Sequence, residues 1–272
     1  MNKVDMHIHT SASDGTWDVY ELKEELKKNK INIFSITDHD NIDNIKNMDA
    51  ILTPEDNLHF IHGVELTTEY EGREYHLTVY NFDINNTALL ELMNKTNQNR
   101  LDSNKEYIEK YAAKRFENIS IEDYEKYEYD RKRGGWKSAN YLIDKGIHKD
   151  LISHLKDVIN SGYKATLLSP EEVIKTAKKS GGMVFLAHPS YNYKSEYMPE
   201  KEMKYWLELG IDGIECYSPY NQDLIDGYVK FCKKNNLMIS GGSDCHGSFI
   251  ASRKLGVPHV DLTDLNIKKL LR

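Results

Sequence analysis

Short apolar runs recur along the chain and alternate with longer segments of helical periodicity. These runs are rich in Val, Ile, Leu, Phe and Tyr, and several of them end in a polar residue. The seven runs that we interpret as strands are residues 3–9, 31–37, 59–65, 74–80, 183–187, 213–216 and 237–240. Strands that alternate with helices are typical of βα units and of a parallel sheet. The pattern therefore predicts an α/β fold, built as a barrel or as a wide open sheet.

The helices between the strands are recognisable mainly from their ends. The sequence SPEE at 169–172 offers an N-cap, a first-turn proline and a capping-box glutamate, and Gly181 and Gly182 would end this helix. Two other segments, 18–29 and 223–234, have suitable periodicity and gather lysines at their C-terminal ends. Lysines are favoured there by the helix dipole. We expect all three segments to be helices.

Residues 85–165 interrupt this alternation of strands and helices. They are rich in Glu, Lys, Asn and Tyr, read as helical and contain no apolar run of the strand type. We interpret them as a helical insertion that forms a cap over the mouth of the barrel. Residues 1–84 and 166–272 would then form the barrel itself.

Composition and charge narrow the classes of function. The net charge of −7, from 36 basic and 43 acidic residues, argues against a surface that binds a long nucleic acid. A local basic pocket for a small or short anionic substrate is compatible with it. The three cysteines show no CxxC spacing and are expected to be free thiols. No apolar signal core opens the chain, and no run approaches the roughly 18 residues of a membrane helix. We expect a soluble, cytoplasmic protein and leave its oligomeric state open.

Side chains of the metal-ligand type collect at the predicted strand ends. Asp5, His7 and His9 share one face of the first strand, because successive side chains in a strand alternate between faces. The other candidates are Asp14, Asp38, His39, Glu65, His76, His188, Glu215, Asp244 and His246. Each of them alone is better explained by a structural role. As a set they predict a metal site, since the ends of parallel strands carry the active site in such folds. Mixed nitrogen and oxygen ligands suit Zn²⁺, Mn²⁺ or Fe²⁺ without choosing among them.

Several motifs also resemble the polymerase and histidinol phosphatase (PHP) superfamily, in its branch of small-molecule metal-dependent phosphoesterases. They are DMHIHTSASDG at 5–15, ITDHDN at 36–41, GVEL at 63–66, YHL at 75–77, LAHPS at 186–190, GIECY at 213–217 and GSDCH at 242–246. The resemblance implies a distorted (β/α)7 barrel that holds three divalent metal ions. In the insertion, GGWKSANYLIDKG at 134–146 stands where that branch often carries an arginine and a histidine. This chain has Gly135 and Lys137 there instead.

The resemblance also implies a division of the ligands among three ions. The first ion would be held by His7, His9, Glu65 and Asp244, the second by Glu65, His76 and His188, and the third by Asp14, His39 and His246. Glu65 would thus bridge two ions. Two ions sharing a ligand can convert a bridging water into a hydroxide nucleophile, and all three can neutralise phosphoryl oxygens. The predicted enzyme is therefore a metal-dependent phosphoric ester hydrolase, with Glu65, Asp244 and Asp38 as catalytic residues.

Other residues are assigned supporting roles, each with a plainer alternative. Asp38 could orient a ligand histidine, or it could simply cap a loop. Arg253, Lys137 and Arg133 are the candidates for binding substrate phosphates, and each could equally be an ordinary surface charge. The role of Glu215 stays open between support of a ligand and a plain position at a strand end.

Three hypotheses about function follow. The leading one is a phosphatase that releases inorganic phosphate from a small phosphorylated metabolite, such as a 3′,5′-bisphosphate nucleotide or the end of a short oligonucleotide. The second is a histidinol phosphatase, which the same metal site would serve. The third is a regulatory module that binds metal or ligand without turnover. The complete set of ligand residues favours an enzyme over the third hypothesis.

Overall fold

The computed structural model of the chain describes residues 2–271 and shows a mixed α/β fold. The strands are β1 (Lys3–Ile8), β2 (Ile31–Ile36), β3 (His59–Phe60), β4 (Gly63–Tyr70), β5 (Arg73–Tyr80), β6 (Met183–Leu186), β7 (Gly213–Tyr217) and β8 (Met238–Gly241). The helices are α1 (Val19–Lys28), α2 (Asp43–Ile51), α3 (Thr87–Tyr107), α4 (Ala113–Arg115), α5 (Ile121–Lys126), α6 (Lys137–Asp144), α7 (Leu151–Ser161), α8 (Pro170–Lys179), α9 (Glu200–Glu208) and α10 (Ile225–Lys234).

The helix ends follow the signals in the sequence. Helix α8 begins at Pro170, and the Ser169 hydroxyl accepts the N–H of Glu172, as the capping motif predicts. Helix α1 has a reciprocal capping box between Asp18 and Glu21. The three helices expected from periodicity are therefore present within a few residues of their predicted bounds. No helix in the described residues combines the length and apolar character needed to span a membrane.

The strands form two sheets rather than one parallel barrel. The first sheet has the order β1-β2-β3 and is parallel throughout. The second has the order β4-β5-β6-β7-β8, and its last three strands are parallel. Strand β5, however, is antiparallel to both of its neighbours. The all-parallel arrangement expected from the sequence is therefore wrong for this strand.

A tight turn explains the antiparallel pairing. Residues Tyr70 and Arg73 face each other across β4 and β5, so only Glu71 and Gly72 connect the two strands. Both connecting residues have positive φ, 51° and 76°, as in the two-residue turn that matches the twist of a hairpin. A parallel neighbour would need a crossover of a dozen or more residues. The short connection therefore forces a hairpin.

The expected closed (β/α)7 barrel is not seen in the hydrogen-bonded ladders of residues 2–271. The predicted strand at 59–65 is divided, with β3 in the first sheet and β4 in the second. The two sheets are instead linked near the ends of β1 and β2 by isolated bridges, Ile8 to Cys245 and His39 to Glu65. Both bridges contain or adjoin residues that are predicted from the sequence to be metal ligands.

Buried apolar side chains hold the sheets together and cover them with helices. One cluster takes Met6 and Ile33 from the first sheet and Phe185 and Met238 from the second. Two larger clusters fill the spaces between the sheets and the helices outside them. The helices between 87 and 161 have an apolar cluster of their own, which includes Ile108 and Tyr141. The division of the chain into barrel and cap stays a prediction. The three cysteines are buried free thiols.

Candidate metal centre

The nine residues nominated as metal ligands come from both sheets. Strand β1 carries His7 and ends just before His9, and Asp14 lies in the loop that follows. His39 follows β2, His188 follows β6, and Asp244 and His246 follow β8. Glu65 and His76 lie within β4 and β5 and not at strand ends. These two strands form a hairpin and are longer than the other strands, so they continue past the ligand positions. Eight of the nine residues are buried, and His76 is partly exposed.

These side chains converge into four overlapping groups, in each of which the candidate ligand atoms lie within 4.8 Å of one another. The groups are His9 with Asp14, His39 and His246; His7 with Glu65 and His188; His7 with His9 and Asp244; and His39 with Glu65 and His76. Every nominated ligand belongs to at least one group. The groups overlap more than the three sets expected from the family resemblance, so the assignment of residues to individual ions stays a prediction.

Glu65 occupies the middle of this arrangement. Its Oε1 lies 3.2 Å from Nε2 of His7, 3.2 Å from Nδ1 of His76 and 3.0 Å from Nε2 of His188. Its Oε2 lies 3.2 Å from Nε2 of His9 and 3.2 Å from Nδ1 of His39. The two oxygens of one carboxylate therefore face two different sets of imidazoles. A bridging ligand needs this disposition.

The donor set fits divalent cations. The Nε2 atoms of His7 and His9 face each other at 3.1 Å. Glu65 Oε2 and the Nδ1 atoms of His9 and His39 are buried without a well-aligned hydrogen bond in the described residues, although each has an opposite partner within 3.3 Å. Burying such atoms unpaired is costly, and a bound cation would remove the cost. Six imidazoles and three carboxylates offer the nitrogen and oxygen ligands that zinc, manganese and iron accept.

The charges within the site are strongly coupled. Burial alone would lower the pKa of His7, but Glu65, Glu215 and Asp244 raise it well above its usual range. Burial likewise opposes charge on His76, yet Glu65 and Glu74 raise its pKa to about 10. Burial would raise the pKa of Glu65, but the surrounding histidines keep it well below the usual range. The carboxylate is therefore ionised, and protons compete with metal ions for the histidines.

Two carboxylates outside the ligand set hold the ligands in place. Both oxygens of Glu215 lie 3.2 Å from Nδ1 of His7, and Oε2 also accepts the backbone N–H of His188 at 2.7 Å. Glu74 lies 2.8 Å from Nε2 of His76. A carboxylate on one ring nitrogen directs the other nitrogen to the metal. The structure thus gives Glu215, whose role the sequence left open, contacts with two ligand residues.

Asp38 has a different environment from the one expected of a catalytic residue. Its carboxylate accepts the N–H of Thr10 at 2.7 Å and the hydroxyls of Thr10 and Ser13, each at 2.5 Å. The side chain is buried and belongs to none of the four ligand groups. These bonds hold the loop that carries Asp14. Asp38 therefore positions a ligand-bearing loop, as in the loop-capping alternative.

A cavity of about 220 Å³ opens onto the ligand groups, and we call it the reaction cavity. Its wall includes Arg253, whose Nη1 lies 2.7 Å from Oδ2 of Asp244. The guanidinium is also 5.2 Å from the centre of the Tyr220 ring. A larger cavity of about 810 Å³ lies elsewhere, beside Leu237 and Asn266, and contains none of the nominated ligands. The reaction cavity is the smaller of the two, but it is the candidate site because predicted metal ligands line it.

The other two candidates for phosphate binding do not reach the reaction cavity. Lys137 donates to the backbone carbonyl of Glu125 at 3.1 Å and lies over the ring of Tyr124. Arg133 forms an ion pair with Asp144 at 2.7 Å. Neither residue lines the cavity. Both side chains are held by partners within the insertion itself, and their role in phosphate binding stays a prediction.

Arg100 also lines the reaction cavity, although the sequence patterns do not predict a role for it. Its Nη2 donates to Asp40 at 3.0 Å and to the Thr67 hydroxyl at 2.6 Å, and its guanidinium stacks on Trp136 at 4.4 Å. It lies in α3, among many charged residues, and nothing in the local sequence distinguishes it. Its partner Asp40 stands two residues after Asp38 in the ITDHDN motif, and this was the one available hint.

Gly135, one of the two residues that differ from the family branch, has a packing role here. Gly135 has a φ of 71°, and a Cβ at this position would lie 2.3 Å from Cζ of Phe249. Its N–H donates to the backbone carbonyl of Asp14 at 2.7 Å. The loop can therefore lie directly against the ligand-bearing loop, and it places Trp136 with its ring centre 5.8 Å from that of His39.

Fold and site together define a metal-dependent hydrolase, with buried nitrogen and oxygen ligands facing a cavity lined by two arginines. The sequence model of the PHP domain family matches residues 5–165, and the chain therefore belongs to this family. Its relatives make it a metal-dependent phosphoesterase.

Two curated relatives cover nearly the whole chain. The chain is 27% identical over 254 residues to a 5′-3′ exoribonuclease of Haemophilus influenzae, covering 90% of each protein. It is 21% identical over 261 residues to the 3′,5′-nucleoside bisphosphate phosphatase of Chromobacterium violaceum, covering 94% of this chain and 91% of the relative.

Solved structures show the same fold. A protein of Bifidobacterium adolescentis, provisionally named a metal-dependent phosphoesterase, superposes with a TM-score of 0.83 at 24% identity, over 98% of this chain and 95% of the other. A sulfate-bound amidohydrolase of Chromobacterium violaceum gives a TM-score of 0.73 at 19% identity, over 95% and 91% of the two chains.

Proposed function

We propose that the chain hydrolyses a phosphoester at the end of a nucleotide or a short oligonucleotide. The observation that carries this proposal is the position of Glu65, whose two oxygens face separate sets of histidines at the floor of the reaction cavity. The names of the curated relatives, an exoribonuclease and a nucleoside bisphosphate phosphatase, support a nucleotide substrate. These relatives also widen the expected range of substrates toward longer RNA.

The residues that would hold the metal ions are the nine nominated ligands, with Glu65 shared between ions. When bound, the ions supply an activated water as the nucleophile and positive charge that offsets the charge on the phosphoryl oxygens. His7 and His188 are fixed for this purpose by Glu215, and the loop of Asp14 is fixed by Asp38. The protein thus presents preorganised ligands and does not have to order them on binding.

Arg253 would hold the substrate phosphate. Its Nη1 contacts Oδ2 of Asp244, while Oδ1 of Asp244 lies 3.2 Å from Nε2 of His9. Asp244 therefore links the guanidinium to the ligand groups and fixes the distance between them. The remaining donors of the arginine would point at a phosphoryl oxygen, since arginine binds phosphate with a planar fork of donors.

Turnover on a panel of phosphoesters would test the proposal. Protein loaded with Mn²⁺ or Zn²⁺ would be given a nucleoside 3′,5′-bisphosphate, a 5′-phosphorylated dinucleotide, a longer 5′-phosphorylated RNA and histidinol phosphate. We expect hydrolysis of at least one nucleotide, with inorganic phosphate or a nucleoside monophosphate as product. The 5′-phosphorylated dinucleotide would distinguish the two activities, because a phosphatase would release inorganic phosphate from it and a nuclease would release a nucleoside 5′-monophosphate. Turnover of histidinol phosphate alone, or of none of the panel, would contradict the proposal.

A further inference from the structure

A second cavity adjoins the reaction cavity and is not needed to hold metal ions. It has a volume of about 380 Å³, and we call it the side cavity. Residues that line it but not the reaction cavity include Ser103, Asn104, Ser138, Val158, Ile159 and Lys164. Both cavities share a partition formed by Glu74, Arg100, Trp136, Leu151 and Leu155. The two spaces are therefore neighbours, and one ligand could occupy both.

The volumes indicate that a substrate does not fit in the reaction cavity alone. Pockets that bury a small organic ligand usually enclose about 300–1,000 Å³. The reaction cavity has about 220 Å³, and part of that space belongs to bound ions and the phosphoester itself. The side cavity, with about 380 Å³, falls within the usual range. The side cavity is therefore large enough to hold the organic part of the substrate.

The walls of the side cavity suit a flat, partly apolar group. Leu151, Leu155, Val158 and Ile159 follow one another at helical spacing along one face of α7. Leu155 is 43% exposed and Ile159 is 75% exposed, so this face is open to a ligand. The partition adds the indole of Trp136. Aliphatic and aromatic walls of this kind bind nucleobases by stacking, with about 1–3 kcal/mol for each stacked base.

The charges of the side cavity favour an anion near the partition. Its two carboxylates already have partners, since Glu69 accepts the N–H of Gly72 at 2.8 Å and Glu74 lies 2.8 Å from Nε2 of His76. The cations of the side cavity are Lys164 and Arg100, and Arg100 also pairs with Asp40 at 3.0 Å and lies 3.9 Å from Glu74. In the described part of the chain, Nε of Arg100 is buried and has no hydrogen-bond partner. Because this Nε is buried, a substrate phosphate would accept hydrogen bonds from the Nη atoms of the guanidinium.

We propose that the side cavity is the subsite for the nucleoside portion of the substrate, and that Arg100 binds a phosphate between this nucleoside and the metal centre. This inference rests on the proposed function, because it assigns the organic part of the same substrate. It predicts a preference for a dinucleotide or a nucleoside bisphosphate over a simple phosphomonoester. Specificity then comes from α7, Trp136 and Arg100, whereas the metal centre acts on any phosphoester that reaches it.

Binding measurements can test the subsite without turnover. Calorimetry would give the Kd of a 5′-phosphorothioate dinucleotide and of inorganic phosphate for the metal-loaded protein. We expect the dinucleotide to bind at least tenfold more tightly, and Ile159→Glu to lower this ratio about tenfold by placing a negative charge against the nucleotide. Arg100→Lys, which keeps the charge beside Asp40, should lower the ratio through loss of the planar fork.

Ile152→Glu is the matched control. Ile152 lies on the same helix and is 64% exposed, but it lines neither cavity. This variant should leave both dissociation constants unchanged. Equal affinities of the wild-type protein for the two ligands, or equal effects of the two glutamate variants, would overturn the subsite. Failure of the proposed function is distinguished by the turnover assay. In that case the panel of phosphoesters would show no nucleotide hydrolysis, independent of the dissociation constants.

Discussion

Both carboxylate oxygens of Glu215 lie 3.2 Å from Nδ1 of His7, although 208 positions separate the two residues in the sequence. This contact turns the Nε2 of His7 toward Glu65, 3.2 Å away. Glu215 also accepts the backbone N–H of His188 at 2.7 Å. His188 has a φ of 26°, a conformation that non-glycine residues adopt only when their surroundings hold them there. One buried carboxylate thus fixes two ligands from different strands.

We therefore predict that Glu215→Gln weakens metal binding by about 10- to 100-fold, the usual cost of removing a partner of a metal-ligating histidine. Glutamine keeps the size of the side chain but loses the charge that supports the His7 ring. Titration of metal-free protein with Zn²⁺ or Mn²⁺ would give the affinity. Glu74→Gln is the matched control. Its side chain is 42% exposed, against 1% for Glu215, so it should have a smaller effect. Equal affinities of Glu215→Gln and wild type would show that the contact does not support the site.

Metal content is the second prediction. We expect elemental analysis of metal-replete protein to find about three ions for each chain, held by the nine residues of the four ligand groups. Removal of the ions by a chelator should abolish phosphoester hydrolysis and lower the melting temperature, because ligands that bind only the folded state stabilise it. Returning Mn²⁺ or Zn²⁺ should restore both. A content of one ion or none would contradict the assignment.

The third prediction contrasts two cationic residues. Arg253→Ala should lower kcat/KM by about 10- to 100-fold, as expected for the loss of charge-assisted hydrogen bonds to a phosphate. Metal content should stay the same. Lys137→Ala should change kcat/KM less than about twofold, since its ammonium group contacts the Glu125 carbonyl and does not line the reaction cavity. A loss with Lys137→Ala as large as that with Arg253→Ala would mean that the insertion moves when substrate binds.

The fourth prediction concerns acid stability. His154 is buried in the insertion with its Nδ1 3.2 Å from Nδ1 of His148. Burial first, and the neighbouring imidazole second, lower its pKa to about 4, against the weaker opposing effect of Asp157. The unfolded chain therefore binds this proton at higher pH than the folded one. The stability that His154 contributes is full above its ordinary pKa and is lost as the pH falls through about 6.5 toward 4.

The difference between the folded and unfolded pKa values of His154 sets the expected loss of stability at low pH. Between pH 7.5 and 5, wild type should lose about 2 kcal/mol of unfolding free energy relative to His154→Gln, which has no proton to gain. Urea unfolding at a series of pH values would measure the difference. His259→Gln, at an exposed histidine, serves as the control, and its pH profile should match that of wild type. Parallel pH profiles for wild type and His154→Gln would show that the buried pair does not govern acid stability.

Local elements and the residues available for chemistry can be predicted from neighbouring positions in the chain. Alternation along β1, continued by the residue that follows it, places His7 and His9 on one face, and capping residues fix the start of α8. Both features depend only on neighbouring positions. The two-residue turn at Glu71 and Gly72 is equally local, and it makes β5 antiparallel to β4, where the alternation of strands and helices alone predicts a parallel strand.

Which of these residues come into contact depends on how the distant elements pack in the folded chain. Arg100 enters the reaction cavity because Asp40 and Trp136, from distant parts of the chain, hold its guanidinium there. Lys137 and Arg133 carry the same charge but are held by partners within the insertion. The contact between Glu215 and His7 spans most of the chain and leaves no periodic trace in the sequence. A local sequence pattern indicates which face of a strand or helix a side chain occupies. Which faces pack against each other depends on contacts between elements that are distant in sequence.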